Sequence, residues 1–201
     1  MPPPAPIVAA PMPRPPASAA TSLTLPPRLP DGSYATPNRD LTGAAAIWHV
    51  RAALNVAALG CAGGTLAPAY NQLLKAQRTG LAAAHRSLTS QYGGPAPFDV
   101  AMTRIYNYFS QPPAQSGFCA VAAPLLAEAV ATPTDAFATF AVGALQRLDR
   151  PFVDFYTAYD RYRSDLAAWH AGDAQPHLTV DTAVLRTDPD TGSRPTRLAG
   201  R

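Results

Sequence analysis

Apolar side chains recur at intervals of three and four from about residue 41 to residue 171. This spacing places them along one face of an α-helix. Gly- and Pro-rich segments interrupt the pattern, and no useful alternation of apolar and polar residues, as in a strand, occurs before residue 172. The pattern predicts an all-α fold, a compact bundle of five or six helices.

Residues that favour helix ends predict where the helices begin and stop. Gly63-Gly64 is expected to follow the end of the first helix. The second helix is predicted to be the longest, with about 25 residues from Thr65 to the Gly-Gly-Pro segment at 93–95. Because proline lacks an N–H group, Pro124 predicts a kink in the fourth helix or its division into two.

The last two predicted helices are separated by Pro151, and Thr134 is expected to cap the fifth. The sixth has the most regular pattern in the chain. Its residues at intervals of three and four are Phe152, Phe155, Tyr159, Tyr162, Leu166 and Trp169. Such a stripe favours core packing, and its tyrosines and tryptophan also suit a binding face.

Both ends of the chain differ from the helical middle in composition. Residues 1–37 hold twelve prolines, and proline favours extended backbone and removes a hydrogen-bond donor. We therefore expect a disordered, extended Pro-rich arm or linker (1–40), a helical bundle domain (41–171) and a mobile polar tail (172–201). Within the tail, residues 178–185 suit a short extended piece.

Cys61 and Cys119 are the only cysteines in the 201 residues. The first falls at the end of the first predicted helix and the second near the start of the fourth, so a disulfide would join two helix ends. Such a bond favours an exported protein of the periplasm or cell surface. Two buried thiols in a cytoplasmic protein are the alternative, and the residues after Met1 lack the basic and apolar regions of a signal peptide.

Composition and the absence of known motifs argue against several classes of function. The net charge of +3 and the lack of a basic run argue against nucleic-acid binding. No uninterrupted apolar run reaches the roughly 20 residues of a membrane span, so no transmembrane segment is predicted. The four histidines form no recognised metal or haem motif, and Glu128 lacks the polar neighbours of a catalytic acid. We expect no cofactor, no metal, no catalytic residue and no enzymatic activity.

Polar residues on the predicted helices form a candidate binding cluster: Arg51, Asn55, Asn71, Arg104 and Asn107. If the faces that carry them converge, these side chains must bond to one another, because unsatisfied buried polar groups are costly. Such a network would fix the register of the helices. The alternative is a pocket for a small ligand, such as an anion or a saccharide, in a binding protein or a small enzyme.

Three segments resemble an uncharacterised family of alphaproteobacterial envelope proteins. They are residues 47–59, Tyr70-Asn71-Gln72-Leu73-Leu74 and Gly117-Phe118-Cys119, and the likeness covers about 41–170. The resemblance implies a bacterial, exported, helical protein and carries no activity. It leaves the function open. From the helical fold and the arm we predict a non-enzymatic interaction or accessory structural module of a cell-envelope assembly, which binds a protein partner through helix faces and the Pro-rich arm.

Overall fold

Six α-helices make up most of residues 11–172, the part of the chain that the computed structural model describes. They are α1 (Gly43–Gly60), α2 (Ala67–Ala76), α3 (Arg78–Gln91), α4 (Pro95–Phe109), α5 (Gln115–Ala131) and α6 (Phe137–Ala171). Within residues 11–172 there is no strand, only an isolated antiparallel bridge between Arg28 and Tyr34. The predicted all-α bundle with one disulfide is confirmed.

Helix α1 lies at the centre of the bundle and contacts each of the other five helices. Alanine explains this position, because its single methyl group lets neighbouring backbones approach closely. Ala46, Ala52, Ala53 and Ala57 are fully buried on different sides of the helix, together with Leu54. Since a helix that is apolar on all sides belongs in the interior, α1 forms the axis on which the others pack.

Three phenylalanine rings fill the space between α4, α5 and α6. Phe109, Phe118 and Phe152 are fully buried, and their ring centroids are 5.5–5.8 Å apart. This separation is typical of favourable aromatic pairs. The aromatic stripe of the last predicted helix therefore contributes mainly to the core, as its spacing predicts.

The long second helix predicted from the sequence is wrong, because the structure divides it into α2 and α3. The break lies at Gln77, whose backbone leaves the helical region (φ −102°, ψ 16°). The Gln77 side chain is buried, and its Nε2 atom donates a hydrogen bond of 2.8 Å to the carbonyl oxygen of Thr132. This tertiary contact leaves no trace in the apolar spacing, which continues through the break.

The prolines at 124 and 151 do not end helices. Pro124 lies within α5, so the predicted division into two short helices is wrong. Pro151 lies within α6, a single helix of 35 residues, so the fifth and sixth predicted helices are one. Leu148 and Phe152 on either side of Pro151 are fully buried, and this packing offsets the hydrogen bond that proline removes.

Between residues 11 and 40 the Pro-rich arm contains one 3₁₀ turn at Pro16–Ser18 and further turns at 21–22, 30–31 and 37–40, joined by extended segments, and this part of the arm is not separate from the bundle. The Tyr159 hydroxyl of α6 accepts from the Leu23 N–H group (2.8 Å) and donates to the Ala20 carbonyl (2.6 Å). Tyr34 is buried in the core. The predicted disorder therefore does not hold for residues 19–38, because apolar side chains between the prolines pack on α6.

The structure does not test two groups of predictions. The predictions of a mobile tail and of an extended piece at 178–185 concern residues 173–201, which lie outside the described residues, as do the first ten residues of the arm. By length and composition, the segment Pro112–Ala131 is apolar enough to cross a membrane. In the bundle, Phe118, Leu125 and Ala129 of this segment are buried in the core, and the absence of a transmembrane segment stays a prediction.

Candidate functional site

The disulfide joins the end of α1 to the start of α5. The Sγ atoms of Cys61 and Cys119 are 2.00 Å apart and their Cα atoms 5.5 Å apart, so the predicted pairing is confirmed. The Gln115 side chain packs directly on the Gly60 backbone here, since a Cβ atom placed on Gly60 would lie 3.1 Å from the Nε2 atom of Gln115. The bond therefore fixes the ends of two helices whose side chains already meet.

The predicted polar cluster is only partly assembled. The Arg51 Nη1 atom donates to the Tyr106 hydroxyl at 2.7 Å, and the Arg51 guanidinium lies 4.7 Å above the Trp48 ring. Half-buried Asn55 lies beside the Tyr70 hydroxyl. Burial raises the pKa of Tyr70, which therefore stays protonated at neutral pH.

The other three residues of the predicted cluster, Asn71, Arg104 and Asn107, are exposed and do not converge. The reason is helical geometry. Consecutive side chains on a helix point about 100° apart, and Tyr70 and Tyr106 take the inward positions beside Asn71 and Asn107. The five predicted side chains therefore do not form one network of amides and guanidinium groups in the structure, and Arg51 donates to the Tyr106 hydroxyl instead.

An open groove lies next to the disulfide, between the end of α1, the end of α4 and the start of α5. Its volume is about 480 Å³, and its lining residues are Asn55, Val56, Leu59, Gly60, Tyr106, Ser110 and Gln115. None of these residues is charged. Leu59 is 75% exposed. We call this feature the disulfide-end groove.

A second open groove, of about 350 Å³, lies between α1, α2 and α3. Its lining residues are Trp48, Arg51, Leu74, Arg78, Leu81, Ala82 and His85. Trp48, His85 and Phe98 form an aromatic wall, with the His85 ring centroid 5.0 Å from each of the other two. We call this feature the α1–α3 groove.

A polar network that sequence reasoning missed joins the arm to α1, α4 and α6. The half-buried Asp149 carboxylate accepts hydrogen bonds from the Thr36 hydroxyl (2.8 Å), the Asn38 amide (2.6 Å) and the Tyr108 hydroxyl (2.6 Å). The Asn38 side-chain oxygen then pairs with Nδ1 of buried His49 at 2.9 Å. Thr36 and Asn38 belong to the Pro-rich arm, and Asp149 follows the spacing of a surface residue, so no sequence signal marks this network.

The charges and hydrogen bonds of this network suit a structural role, in which it holds the arm on the bundle; we call it the Asp149 clamp. Burial lowers the pKa of His49 to about 4, so its ring is neutral at pH 7 and its Nδ1–H group donates to the Asn38 oxygen. Burial and the Asp149 charge raise the pKa of Tyr108. Both Asp149 oxygens accept hydrogen bonds from the protein, and the carboxylate also lines an open groove of about 490 Å³ between the arm and α6.

Glu128, the glutamate considered as a catalytic acid, is exposed on α5. Its two carboxylate oxygens accept from the Arg147 guanidinium at 2.7 and 2.9 Å. This hydrogen bonding lowers the pKa of Glu128, whereas a general acid needs a raised one. Among residues 11–172, no three His, Cys, Asp or Glu side chains are placed to hold a metal ion.

Comparisons with family models, with characterised proteins and with solved structures find no match. The resemblance to alphaproteobacterial envelope proteins stays an expectation. The side chains of this chain therefore carry the proposals below, above all those of the two grooves, of which Tyr106 lines the first and Arg51 the second.

Proposed function

We propose that this protein is a non-enzymatic interaction or accessory structural module of a bacterial cell-envelope assembly, and that its protein partner contacts the disulfide-end groove. The observation that carries the proposal is the exposure of Leu59. Three-quarters of this side chain is exposed, although it belongs to the central helix of the bundle.

The lining of the disulfide-end groove indicates the chemistry of the partner. Half-buried Val56 and Tyr106 lie beside exposed Leu59, and burying a leucine side chain contributes roughly 1.5–3 kcal/mol. A charged partner group would lose hydration here without meeting an opposite charge. The apolar face of an amphipathic helix, with a polar rim opposite Asn55 and Gln115, fits these walls.

The disulfide makes the groove a fixed feature of the surface. Cys61 follows the groove residue Gly60, and Cys119 lies one helical turn after the groove residue Gln115. The covalent bond therefore joins two walls of the groove, and a preorganised surface loses less conformational freedom on binding. The same bond is consistent with export to the periplasm or cell surface, where disulfides persist.

The arm adds a second surface for the partner. Its inner side is held by Leu23 and Tyr34, while Pro27, Pro30 and Pro37 are exposed on its outer side. Extended proline segments dock into aromatic-lined grooves of partner proteins. Since the arm is already held on α6, its contact with a partner carries a small ordering cost.

Photo-cross-linking in the native envelope tests the site. A photoreactive amino acid replaces Leu59 in one protein and Val100 in another. Val100 is the matched control, because it is also an exposed apolar residue (57%) but lies on α4 outside both grooves. We expect a discrete adduct with one envelope protein from position 59 and none from position 100. Equal adducts from both positions, or none from position 59, contradict the proposal.

Thiol counting tests the compartment. Protein purified from its native compartment without reductant is denatured and titrated for free sulfhydryls. We expect none, since Cys61 and Cys119 are joined. Two reactive sulfhydryls would support the cytoplasmic alternative and remove the argument for export.

A further inference from the structure

Positive charge is distributed unevenly between the two sides of the molecule. Within residues 11–172, five arginines form ion pairs with carboxylates, and all lie on the arm or on α6: Arg28, Arg39, Arg147, Arg150 and Arg163. The basic residues of α1 to α4 are Arg51, Lys75, Arg78, Arg86 and Arg104, and none of them has such a pair in the described part of the chain. The only acidic residue between positions 43 and 109 is Asp99. This side of the bundle therefore attracts anions.

Two of the unpaired arginines, Arg51 and Arg78, line the α1–α3 groove. The Arg51 guanidinium is held in place by its hydrogen bond to Tyr106 and by stacking on Trp48. No hydrogen bond within residues 11–172 uses its Nε or Nη2 atom. A guanidinium group that is already oriented presents these donors in the planar fork that matches an oxyanion.

The rest of the groove is apolar and aromatic. Leu74 and Leu81 line it, and the rings of Trp48 and His85 lie 5.0 Å apart. The Trp48 side chain is 9% exposed, and its Nε1–H donor is buried without an acceptor among the described residues. Buried donors of this kind are uncommon in proteins. A ligand for this groove therefore combines an acceptor-rich anionic group with a flat apolar part.

We propose that the α1–α3 groove binds a small organic oxyanion whose phosphate or carboxylate oxygens contact Arg51 and Arg78 and whose planar apolar group packs against Trp48 and His85. The groove volume of about 350 Å³ lies at the small end of the range for ligand pockets. This site is separate from the proposed partner surface, because the Arg51–Tyr106 hydrogen bond lies between the two grooves.

Tryptophan fluorescence of the full chain provides the test. The chain has two tryptophans, so Trp169→Phe leaves Trp48 as the single reporter in the groove wall. Phenyl phosphate, benzoate and neutral benzyl alcohol are titrated separately into this variant. We expect a saturable change in Trp48 emission with at least one oxyanion and none with benzyl alcohol. The tighter of the two oxyanions identifies whether the natural ligand class is a phosphate monoester or a carboxylate.

Two further variants test the role of the arginines. Arg78→Ala should weaken oxyanion binding about tenfold, because it removes a charge-assisted hydrogen bond. Arg86→Ala is the matched control, since Arg86 is also exposed on α3 and has no ion pair within residues 11–172, but does not line the groove. Its affinity should stay within about twofold of the parent. Circular dichroism verifies that each variant is folded.

Three results would overturn the proposal. The first is the lack of a saturable response to either oxyanion, and the second is equally tight binding of benzyl alcohol. The third is an equal loss of affinity in Arg78→Ala and Arg86→Ala, which would show general attraction to a basic surface rather than a site. None of these results bears on the partner surface around Leu59, whose test is a cross-link at a different groove.

Discussion

A single carboxylate, that of Asp149, connects three parts of the chain that are distant in sequence. Its oxygens accept hydrogen bonds from two residues of the arm, Thr36 and Asn38, and from Tyr108 of α4. Hydrogen bonds to charged groups are stronger than neutral ones. The arm therefore stays on the bundle through specific polar contacts as well as through apolar burial.

Replacing Asp149 with alanine should lower the free energy of unfolding by about 3 kcal/mol, because the buried Tyr108 and Asn38 side chains lose their acceptor. Urea denaturation measures this loss. Asp154→Ala on the same helix is the control, since Asp154 is exposed and makes only a 3.7 Å surface pair with Arg150, and it should change stability by less than about 1 kcal/mol. Equal effects of the two substitutions would contradict the clamp.

The pH dependence of stability should reveal His49. Its pKa is lowered by burial from 6.5 to about 4, so the unfolded chain binds a proton at this residue before the folded chain does. The contribution of the neutral His49 ring to the free energy of unfolding is therefore fully present above pH 6.5. It decreases as the pH drops towards 4, by about 3 kcal/mol in total. Urea midpoints measured across this range check the prediction.

The variant His49→Gln should flatten this dependence, because glutamine does not titrate. The comparison is between the slopes of the two proteins from pH 6.5 to pH 4, whatever their stabilities at pH 7. Carboxylates such as Glu128, whose pKa is lowered by Arg147, also lose stabilising effect near the acid end of this range, but they do so in both proteins, and the difference between the two slopes reports His49. If wild type and His49→Gln lose stability equally in this range, His49 is not the group responsible.

At the scale of the helices, α6 shows that proline and glycine are accommodated within a helix at some positions and that glycine ends it at another. Pro151 lies inside this helix without ending it, and so does Gly143. Gly172 follows the helix in a left-handed conformation with φ +87°. Only the last position requires glycine, because a side chain is strained at positive φ.

This difference predicts opposite effects of two glycine-to-alanine substitutions. A Cβ atom at exposed Gly143 would meet no atom within 4 Å, so Gly143→Ala should raise stability by about 1 kcal/mol through better helix propensity. Gly172→Ala should lower it by about 1 kcal/mol, since alanine is strained there. Thermal denaturation of both variants checks the signs, and two changes of the same sign would refute the interpretation.

At the scale of the whole molecule, the disulfide restricts the unfolded chain more than it adds contacts. It joins residues separated by 58 positions, which in the chain-entropy model corresponds to about 4 kcal/mol. A core built largely on alanine buries little apolar area per residue. The bond therefore supplies a large part of the stability expected of a domain of this size.

Removing the disulfide should lower the free energy of unfolding by about 4 kcal/mol at most, with the helical content kept in the absence of denaturant. Cys61→Ala with Cys119→Ala is the direct test, measured by urea denaturation with circular dichroism. Reductant should shift the wild type towards the double variant and leave the double variant unchanged. A double variant as stable as oxidised wild type would show that the bond is dispensable for stability.

Local properties of the sequence account for the helices and for the cysteine pair. Apolar spacing predicts α1, α4 and the aromatic stripe of α6, because one buried face repeats along each of them. The positions of Cys61 and Cys119 at predicted helix ends suffice to suggest their bond. The same spacing places Tyr70 and Tyr106 on apolar helix faces, and in the structure Tyr70 is buried and Tyr106 half-buried. It does not reveal that the Tyr106 hydroxyl accepts a hydrogen bond from Arg51, because that contact depends on how α1 and α4 pack together.

The sequence by itself determined the all-α class, the alanine-rich first helix and the single cysteine pair that a disulfide can join within the chain, since each depends on residue type and local spacing. Tertiary structure alone decided the break at Gln77, the continuity of α6 through Pro151, the attachment of the arm through Asp149 and the meeting of Arg51 with Arg78 in one groove. These features depend on contacts between residues far apart in the chain, whose energies exceed local preferences for helix or turn.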